Sequence, residues 1–441
     1  MLKRSHLGAF VLGAALTLGV GALAGPTKKV DRKFEKLDVF ARVLSYVENN
    51  YVEEVDERKL VYGAVKGMMR TLDPHSDFMT PEEFADMRAD TDGEFGGIGI
   101  EINDDGGVIV IVEPIAGAPA ARAGLLAGDR IVAIDGAPTK GRPGSDTSAR
   151  LRGRPGTPVK VSVERKGWDG PKEFALTREL IHVQAVEASL LEAGIGYVRI
   201  KQFQERTDEE LLAALTRIKS ESGGNLTGLV LDLRGNPGGL LDQAVKVADL
   251  FLDRGVIVST VGRGGKKLEE EVAREPGTWN SFPMVCLVNG GSASASEIVA
   301  GALQDHGRAL LIGTQTFGKG SVQSVYELAD GSGLKLTVAR YYTPSGRSIQ
   351  EKGITPDVVV DQLDHQKLKD AKVAESLQRE RDLDGHLKNP QAEGDRMPEA
   401  RGSARELLER DYQLRTAFQT LSSWKRFQNL NAHSGSSLAT K

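Results

Sequence analysis

The sequence predicts a multidomain α/β (α+β) protein, and three observations carry that expectation. Strand-like and helical segments alternate between 181 and 361. Short alternating strands separated by glycine turns fill 95–180. Apolar residues at three-four spacing mark helical segments near both ends. The chain has 441 residues, of which 40% are hydrophobic, enough for a real core and about three domains. It carries 57 basic against 61 acidic residues and a net charge of -4, so it lacks the basic excess that phosphate neutralisation needs, and a nucleic-acid partner is excluded.

Residues 1–25 open with Lys3, Arg4 and His6, continue through the uncharged stretch Leu7 to Ala24, and end in Ala22-Leu-Ala24. That pattern predicts a cleaved signal peptide, with an uncleaved anchor as the alternative. In either case the remainder is exported, to the periplasm or the cell envelope. The segment 26–94 reads as helical. Leu37, Phe40, Leu44, Val47 and Tyr51 form one amphipathic stripe, and Asp56 is a suitable N-cap for a second helix reaching about Leu72. Leu72 to Pro81 reads as a turn-rich connection, and His75, without ligand spacing, as structural. Cys286 lies in an apolar run from Ser281 to Asn289 and reads as a buried strand thiol.

Between 95 and 180, Gly96-Gly-Ile-Gly-Ile-Glu-Ile102 is followed by a strand at Val108–Val112 and a short helix near Ala118–Ala123. Then come Gly128-Asp-Arg-Ile-Val-Ala-Ile-Asp-Gly136 and a strand at Val159–Val163. The succession resembles a PDZ domain. The resemblance implies that Gly97, Ile98, Gly99 and Ile100 hold a peptide carboxylate and side chain while the peptide adds a strand to the sheet.

The segment 181–361 carries the candidate chemistry. In Asn289-Gly-Gly-Ser-Ala-Ser-Ala-Ser-Glu-Ile298 an apolar strand turns through glycines into a helix spanning about Ala295 to Asp305. A serine at such a corner sits at the positive end of the helix. Ser292, Ser294 and Ser296 all qualify, and Ser294 with Glu297 also spells an ordinary Ser-x-x-Glu capping box. Gly313 to Gln323 nearly spells a phosphate-binding loop. However, Gly320 replaces the metal-binding hydroxyl, and an alternating strand pattern follows instead of a helix, so nucleotide binding is rejected. On an extended chain Lys319, Ser321 and Gln323 share one face. His6, His365, His386 and His433 lie in the leader or tail, and His306 is about three helical turns from Ser294. Lysine is the alternative base, because burial can lower its pKa by several units, and a Ser-Lys pair becomes one possibility. Oxyanion donors could come from the N–H of Ala295 and from Gly238 or Gly239 in Arg234-Gly-Asn-Pro-Gly-Gly239.

These segments together resemble the carboxyl-terminal processing (tail-specific) serine protease family. The matching stretches are Ser292 to Ile298, Gln304-Asp305, Arg308-Ala309, Thr316 to Gln323 and Asp232 to Gly239, with the PDZ-like segment preceding them. The likeness spans roughly Phe34 to Asp361. It implies a crotonase-like protease core at 181–361 with an inserted PDZ domain and helical N- and C-terminal segments. It also implies Ser294 as nucleophile, Lys319 as general base and Gln323 as the residue that positions the lysine. No cofactor or metal is implied. The implied partners are protein or peptide substrates with apolar C-termini, a regulatory or adaptor protein, and a second copy of the chain in a homodimer or higher homo-oligomer. The rival expectation is a non-catalytic PDZ peptide-binding scaffold in the cell envelope.

The tail, 362–441, fits no motif. Leu387 to Ser403 reads as a linker. Leu414, Phe418, Leu421 and Trp424 sit at helical spacing between Arg405 and Phe427, which suggests a helix that docks on a partner or a neighbouring subunit.

Overall fold

The computed structural model describes residues 37–142, 144–275, 277–363 and 403–436. The leader expected at 1–25 and the linker expected from Leu387 to Ser403 lie outside them, except for Ser403 itself. The chain divides into two compact units, 1–74 and 75–441. In the first unit, helix α1 spans Leu37–Asn50 and α2 spans Glu57–Met69. Asp56 caps α2 as expected, its carboxylate accepting the Lys59 N–H at 3.3 Å. Helix α1 is amphipathic yet buries no side chain.

The second unit begins with strand β1 (Asp77–Met79) and helix α3 (Pro81–Asp92). Helix α3 lies inside the segment 26–94 expected to be helical, although the sequence marks no separate helix there. Its only buried side chain is Phe84, so it carries almost no apolar periodicity, and Pro81 reads as a turn residue. Pro81 is in fact the first helical residue, behind a complete Thr80–Glu83 capping box.

A β module follows: β2 (Glu94–Gly97), β3 (Ile100–Asp105), β4 (Val108–Pro114), α4 (Pro119–Arg122), β5 (Arg130–Ile134), β6 (Ala137–Pro138), α5 (Gly144–Leu151), β7 (Pro158–Glu164), β8 (Lys172–Thr177) and β9 (Glu179–His182). Strands β3-β4-β5-β7-β8 form one sheet, with β6 beside β5, while β2 and β9 pair separately. The module has its own core of Ile98, Ile109, Ile111, Leu125, Ile131, Ile134 and the three valines of β7. Strand β7 alternates buried and exposed residues, as a half-buried strand must.

The larger part contains β10 (Val186–Leu190), β11 (Ile195–Ile200), α6 (Thr207–Glu221), β12 (Gly228–Asp232), α7 (Leu241–Asp249), β13 (Val256–Gly262), β14 (Lys267–Val272), β15 (Met284–Val288), α8 (Ala295–Asp305), β16 (Leu310–Gly313), β17 (Ser321–Glu327), β18 (Gly333–Tyr342), β19 (Val358–Val359), α9 (Ser403–Arg410) and α10 (Tyr412–Ser436). Strands β10-β11-β12-β15-β16-β19 form a sheet that is parallel from β11 onward, with β10 antiparallel at its edge. A second sheet runs β1-β18-β13-β14, with β17 paired to β18.

Every residue of β12 and of β15 is buried, so both sheet faces need covering. Helices α6, α7 and α8 supply Leu211, Leu215, Val247, Ile298 and Val299 to one face. The other face carries Val230, Val285, Leu287 and Ile312, and it is covered by Leu408, Leu414, Ala417 and Leu421 of α9 and α10. The tail therefore docks on the parallel sheet of its own chain, which corrects the expectation that its apolar stripe serves a partner. The stripe is complementary to a sheet face that one-dimensional periodicity cannot locate.

Leu421 is 6% exposed. Leu421→Ala should therefore lower the stability of this unit by about 2–5 kcal/mol, read as a drop in its urea or thermal unfolding midpoint. A midpoint equal to wild type would contradict intramolecular docking of the tail.

Candidate active site

The site is built from three corners that converge at the ends of parallel strands, where α/β sheets place their ligands. The first is the β15–α8 turn. Asn289 holds it open, its side-chain oxygen accepting the N–H groups of Gly235 and Gly291 at 2.9 and 3.0 Å. Of the three candidate serines, Ser292 and Ser296 are fully buried and engaged. Ser292 Oγ accepts the Asn289 N–H and donates to the Leu233 carbonyl, and Ser296 Oγ donates to the Asn236 carbonyl. Ser294 is 8% exposed and sits at φ 55°, ψ -114°, directly before α8. Positive φ in a non-glycine residue stores strain, and here it lies at the strand-to-helix corner. The Ser294 side chain and the Glu297 N–H stand in the capping-box arrangement that the sequence spells, and no other group bonds the Ser294 hydroxyl among the described residues.

The second corner is the loop Thr316 to Gly320. It is tied to the first by Glu297, whose side chain is fully buried. Glu297 Oε1 accepts the Thr316 hydroxyl at 2.6 Å and the Gly318 N–H at 2.7 Å. Its Oε2 accepts the N–H of Ser294 and the N–H of Lys319, each at 2.8 Å. The backbones of Ser294 and Lys319 thus lie within two hydrogen-bond lengths of each other through one oxygen atom. Phe317 adds a backbone bond to the Ser292 carbonyl at 3.0 Å. The sequence exposes Glu297 only as a capping residue. Its role as a bridge was hidden because three of its four donors come from, or lie beside, a loop some twenty residues away. The one available signal was its place in a helix whose surroundings are apolar on all sides.

Lys319 is half-buried, and its ammonium pKa is held below the ordinary lysine range, first by burial and then by the positive charge of Lys335 on β18. Gln323 lies one bulge further on, paired with Thr337 across β17 and β18. Its amide nitrogen donates to Ser321 Oγ at 2.8 Å and to Thr337 Oγ1 at 3.4 Å. That arrangement leaves its carbonyl oxygen without a partner among the described residues. His306, set aside as a base, caps α8 and bonds the Val256 carbonyl at 2.7 Å through Nε2.

The third corner is the loop after β12. Gly238 packs so closely that a Cβ there would fall 2.9 Å from Ser294 Cβ and 3.1 Å from the Ala295 nitrogen. Only glycine allows that approach. The Gly238 N–H, however, donates to Asn236 Oδ1 at 2.9 Å. The N–H groups of Gly239 and Ala295 have no partner among the described residues. The structure thus distinguishes the two glycines left open by the sequence, because the Gly238 N–H is already engaged and the Gly239 N–H is not.

In the β module, Gly97, Ile98, Gly99 and Ile100 line a narrow groove of about 80 Å³ together with Phe95, Ile102, Ser148, Leu151 and Arg152. Ile98 turns its side chain into the module core, and the N–H groups of Ile98 and Gly99 are unpartnered among the described residues. Arg152 stacks on Phe95 at 4.7 Å and pairs with Asp90 at 3.5 Å. Among the described residues no group of three His, Cys, Asp or Glu side chains is placed to hold a metal ion.

The site thus combines a strained strand-to-helix serine and a half-buried lysine whose backbones meet at Glu297, and the same chain carries a groove-bearing β module. Residues 194–360 match Peptidase family S41, 96–171 match the PDZ domain, and 19–83 match the activating protease CtpB N-terminal domain. The chain is 45% identical over 387 residues to the carboxy-terminal-processing protease of Bartonella bacilliformis, an alignment that covers 87% of this chain and 88% of that one. It is 38% identical over 365 residues to the carboxy-terminal processing protease CtpA of Bacillus subtilis, covering 81% and 76%. Among solved structures, the photosystem II D1 C-terminal processing protease is 37% identical over 75% of this chain and 89% of its own, with a TM-score of 0.45. The chain belongs to the carboxy-terminal-processing proteases of Peptidase family S41.

Glu297→Gln keeps the side-chain shape but turns one acceptor oxygen into a donor, leaving the converging N–H groups short of partners. It should cost roughly 2 kcal/mol or more of stability, measured by urea unfolding. A midpoint at the wild-type value would rule out the bridge.

Proposed function

We propose that the protein is a serine endopeptidase that captures the C-terminal residues of protein substrates in its PDZ groove and cleaves peptide bonds near that end with a Ser294–Lys319 dyad. The observation that carries this reading is the single Glu297 carboxylate that holds the Ser294 and Lys319 backbones together. Neutral Lys319 takes the Ser294 proton as Oγ attacks the scissile carbonyl carbon. The developing oxyanion accepts the N–H groups of Ala295 and Gly239, donors that the folded chain leaves free. The Lys319 ammonium then gives its proton to the departing amine, and water hydrolyses the acyl-enzyme by the same groups in reverse roles. Gln323 offers its unpartnered carbonyl oxygen to the lysine ammonium and so aims it. The substrate's carboxylate takes the free N–H groups at Ile98 and Gly99, and an apolar terminal side chain enters the groove beside Ile100 and Leu151.

The leader pattern in 1–25 supports export to the periplasm or cell envelope. The exposed apolar residues of α1, among them Leu37, Val39, Phe40, Val43 and Tyr46, support self-association into a homodimer or larger homo-oligomer.

Ser294→Ala and Lys319→Ala should each abolish cleavage of an unfolded substrate with an apolar C-terminus, followed by mass spectrometry of its C-terminal fragments. Persistent wild-type cleavage in either variant would overturn the dyad. Because Lys319 must be neutral to act, kcat/KM should rise with pH, with a midpoint below the ordinary lysine range. Lys335→Met removes a like charge, raises the Lys319 pKa and should move that midpoint to higher pH. A shift in the opposite direction would contradict the assignment of Lys319 as base.

A further inference from the structure

The glycines of Asp232-Leu-Arg-Gly-Asn-Pro-Gly-Gly239 are accounted for by the site, but Asp232 and Arg234 are not. Neither touches Ser294 or Lys319. Arg234 nevertheless opens the loop that ends in the free Gly239 N–H, and its side chain is only 11% exposed. Its guanidinium bonds Asp232 through Nε at 2.9 Å and through Nη2 at 2.5 Å. Its remaining donors turn to the tail. Nη1 bonds Asp411 Oδ1 at 3.0 Å and Gln413 Oε1 at 2.9 Å, and Nη2 bonds Asp411 Oδ2 at 2.6 Å.

Both carboxylates are themselves fixed. The Arg234 N–H donates to Asp232 Oδ1 at 3.0 Å and the Tyr197 hydroxyl donates to Asp232 Oδ2 at 2.9 Å. Asp411 Oδ1 accepts the Leu414 N–H at 3.0 Å at the start of α10, and the Gln413 amide donates to the Val360 carbonyl at 2.7 Å. Burial alone would lower the arginine pKa, but the two carboxylates raise it, so the group stays charged. A buried guanidinium shared between two carboxylates fixes orientation better than it adds stability. From Arg234 the loop passes to Asn236. Its amide donates to the Ile200 carbonyl at 2.9 Å, and its carbonyl accepts the Ala293 N–H at 3.0 Å, one residue before the nucleophile.

We propose that Asp411 and Gln413 of the C-terminal segment are positioning residues for catalysis. They clasp Arg234 and thereby hold the Gly239 N–H where the oxyanion forms, so that the tail is a built-in support of the oxyanion loop whose release slows cleavage. This inference rests on the protease reading above.

The test uses the full chain. Asp411→Ala should lower kcat about tenfold, below the hundredfold or greater cost of losing an oxyanion donor outright, with KM within about twofold because the PDZ groove is untouched. Asp411→Asn, which keeps an acceptor for Arg234, should recover part of the loss. Leu421→Ala loosens the tail's packing but leaves the clasp, and below its unfolding temperature it should retain near-wild-type kcat. Hydrogen–deuterium exchange of Gly235 to Gly239 should accelerate in Asp411→Ala and stay slow in Leu421→Ala. Unchanged kcat with unchanged loop exchange in Asp411→Ala would overturn the clasp. So would equal kcat losses in Asp411→Ala and Leu421→Ala, since those would mark a purely structural tail. Should wild type and Ser294→Ala prove equally inactive, the protease reading falls. The exchange data then decide the clasp alone: acceleration supports it and an unchanged loop overturns it.

Discussion

The Glu297 carboxylate is the constraint on which the rest of the site depends. It lies in the interior of the protein and accepts two bonds on each oxygen, from Thr316 and Gly318 on one side and from Ser294 and Lys319 on the other. A buried carboxylate is tolerated only where its lone pairs are filled, and here one donor comes from the Ser294 corner and three from the loop at 316–319. The cost of burying the charge is offset by fixing two loops at once. Such an arrangement has few half-measures, because a loop that drifts away strands both its own N–H and the carboxylate. That explains how a corner as strained as Ser294 persists. Its positive φ is over-determined by Glu297, by the Ser292 and Ser296 hydroxyls, and by the Asn236 carbonyl.

The same logic extends through the sheet. A central parallel strand such as β12 is buried on both faces, so the sheet is incomplete until something covers each side. Helices α6 to α8 cover one face, and α8 also carries Glu297. The C-terminal helices cover the other and deliver Asp411 and Gln413 to Arg234. Packing and the candidate site therefore meet at one strand: β12 leads into the loop holding Gly238 and Gly239, and its last residue, Asp232, bonds Arg234, which in turn bonds Asp411 of the tail. Around Lys319 the opposite principle applies. Its environment withholds compensation, since burial and the charge of Lys335 both disfavour the ammonium. One charged group is fully satisfied and holds the frame, and the charged form of another is disfavoured, as the proposed dyad requires.

Much of this was legible in the sequence because its determinants are local. The strand-turn-helix at 284–305, the Asp56 cap and the alternation in β7 follow from spacing within a few residues. The long motifs around Ser294, Lys319 and Gly239 pointed to the protease family, the charge balance spoke against a nucleic-acid partner, and the failed phosphate-loop pattern at Gly320 excluded nucleotide chemistry. The start of α3 at Pro81 and the whole of α5 were not legible because each helix buries too few apolar residues to leave a periodic stripe.

Other features belong only to the tertiary structure, because they are relations between residues far apart in the chain. Three serines at one corner are equivalent in sequence. Hydrogen bonds to backbone carbonyls consume Ser292 and Ser296 but not Ser294. Two adjacent glycines are equally good donors in sequence, yet Asn236 occupies one of them and folding leaves the other open. The amphipathic tail announces that it must dock, but not where, since its stripe would suit any apolar face. The sequence by itself determined which chemistry was available and which segments would carry it. The tertiary structure decided which atoms are free to perform it, because hydrogen-bond satisfaction and burial are settled only when distant segments meet.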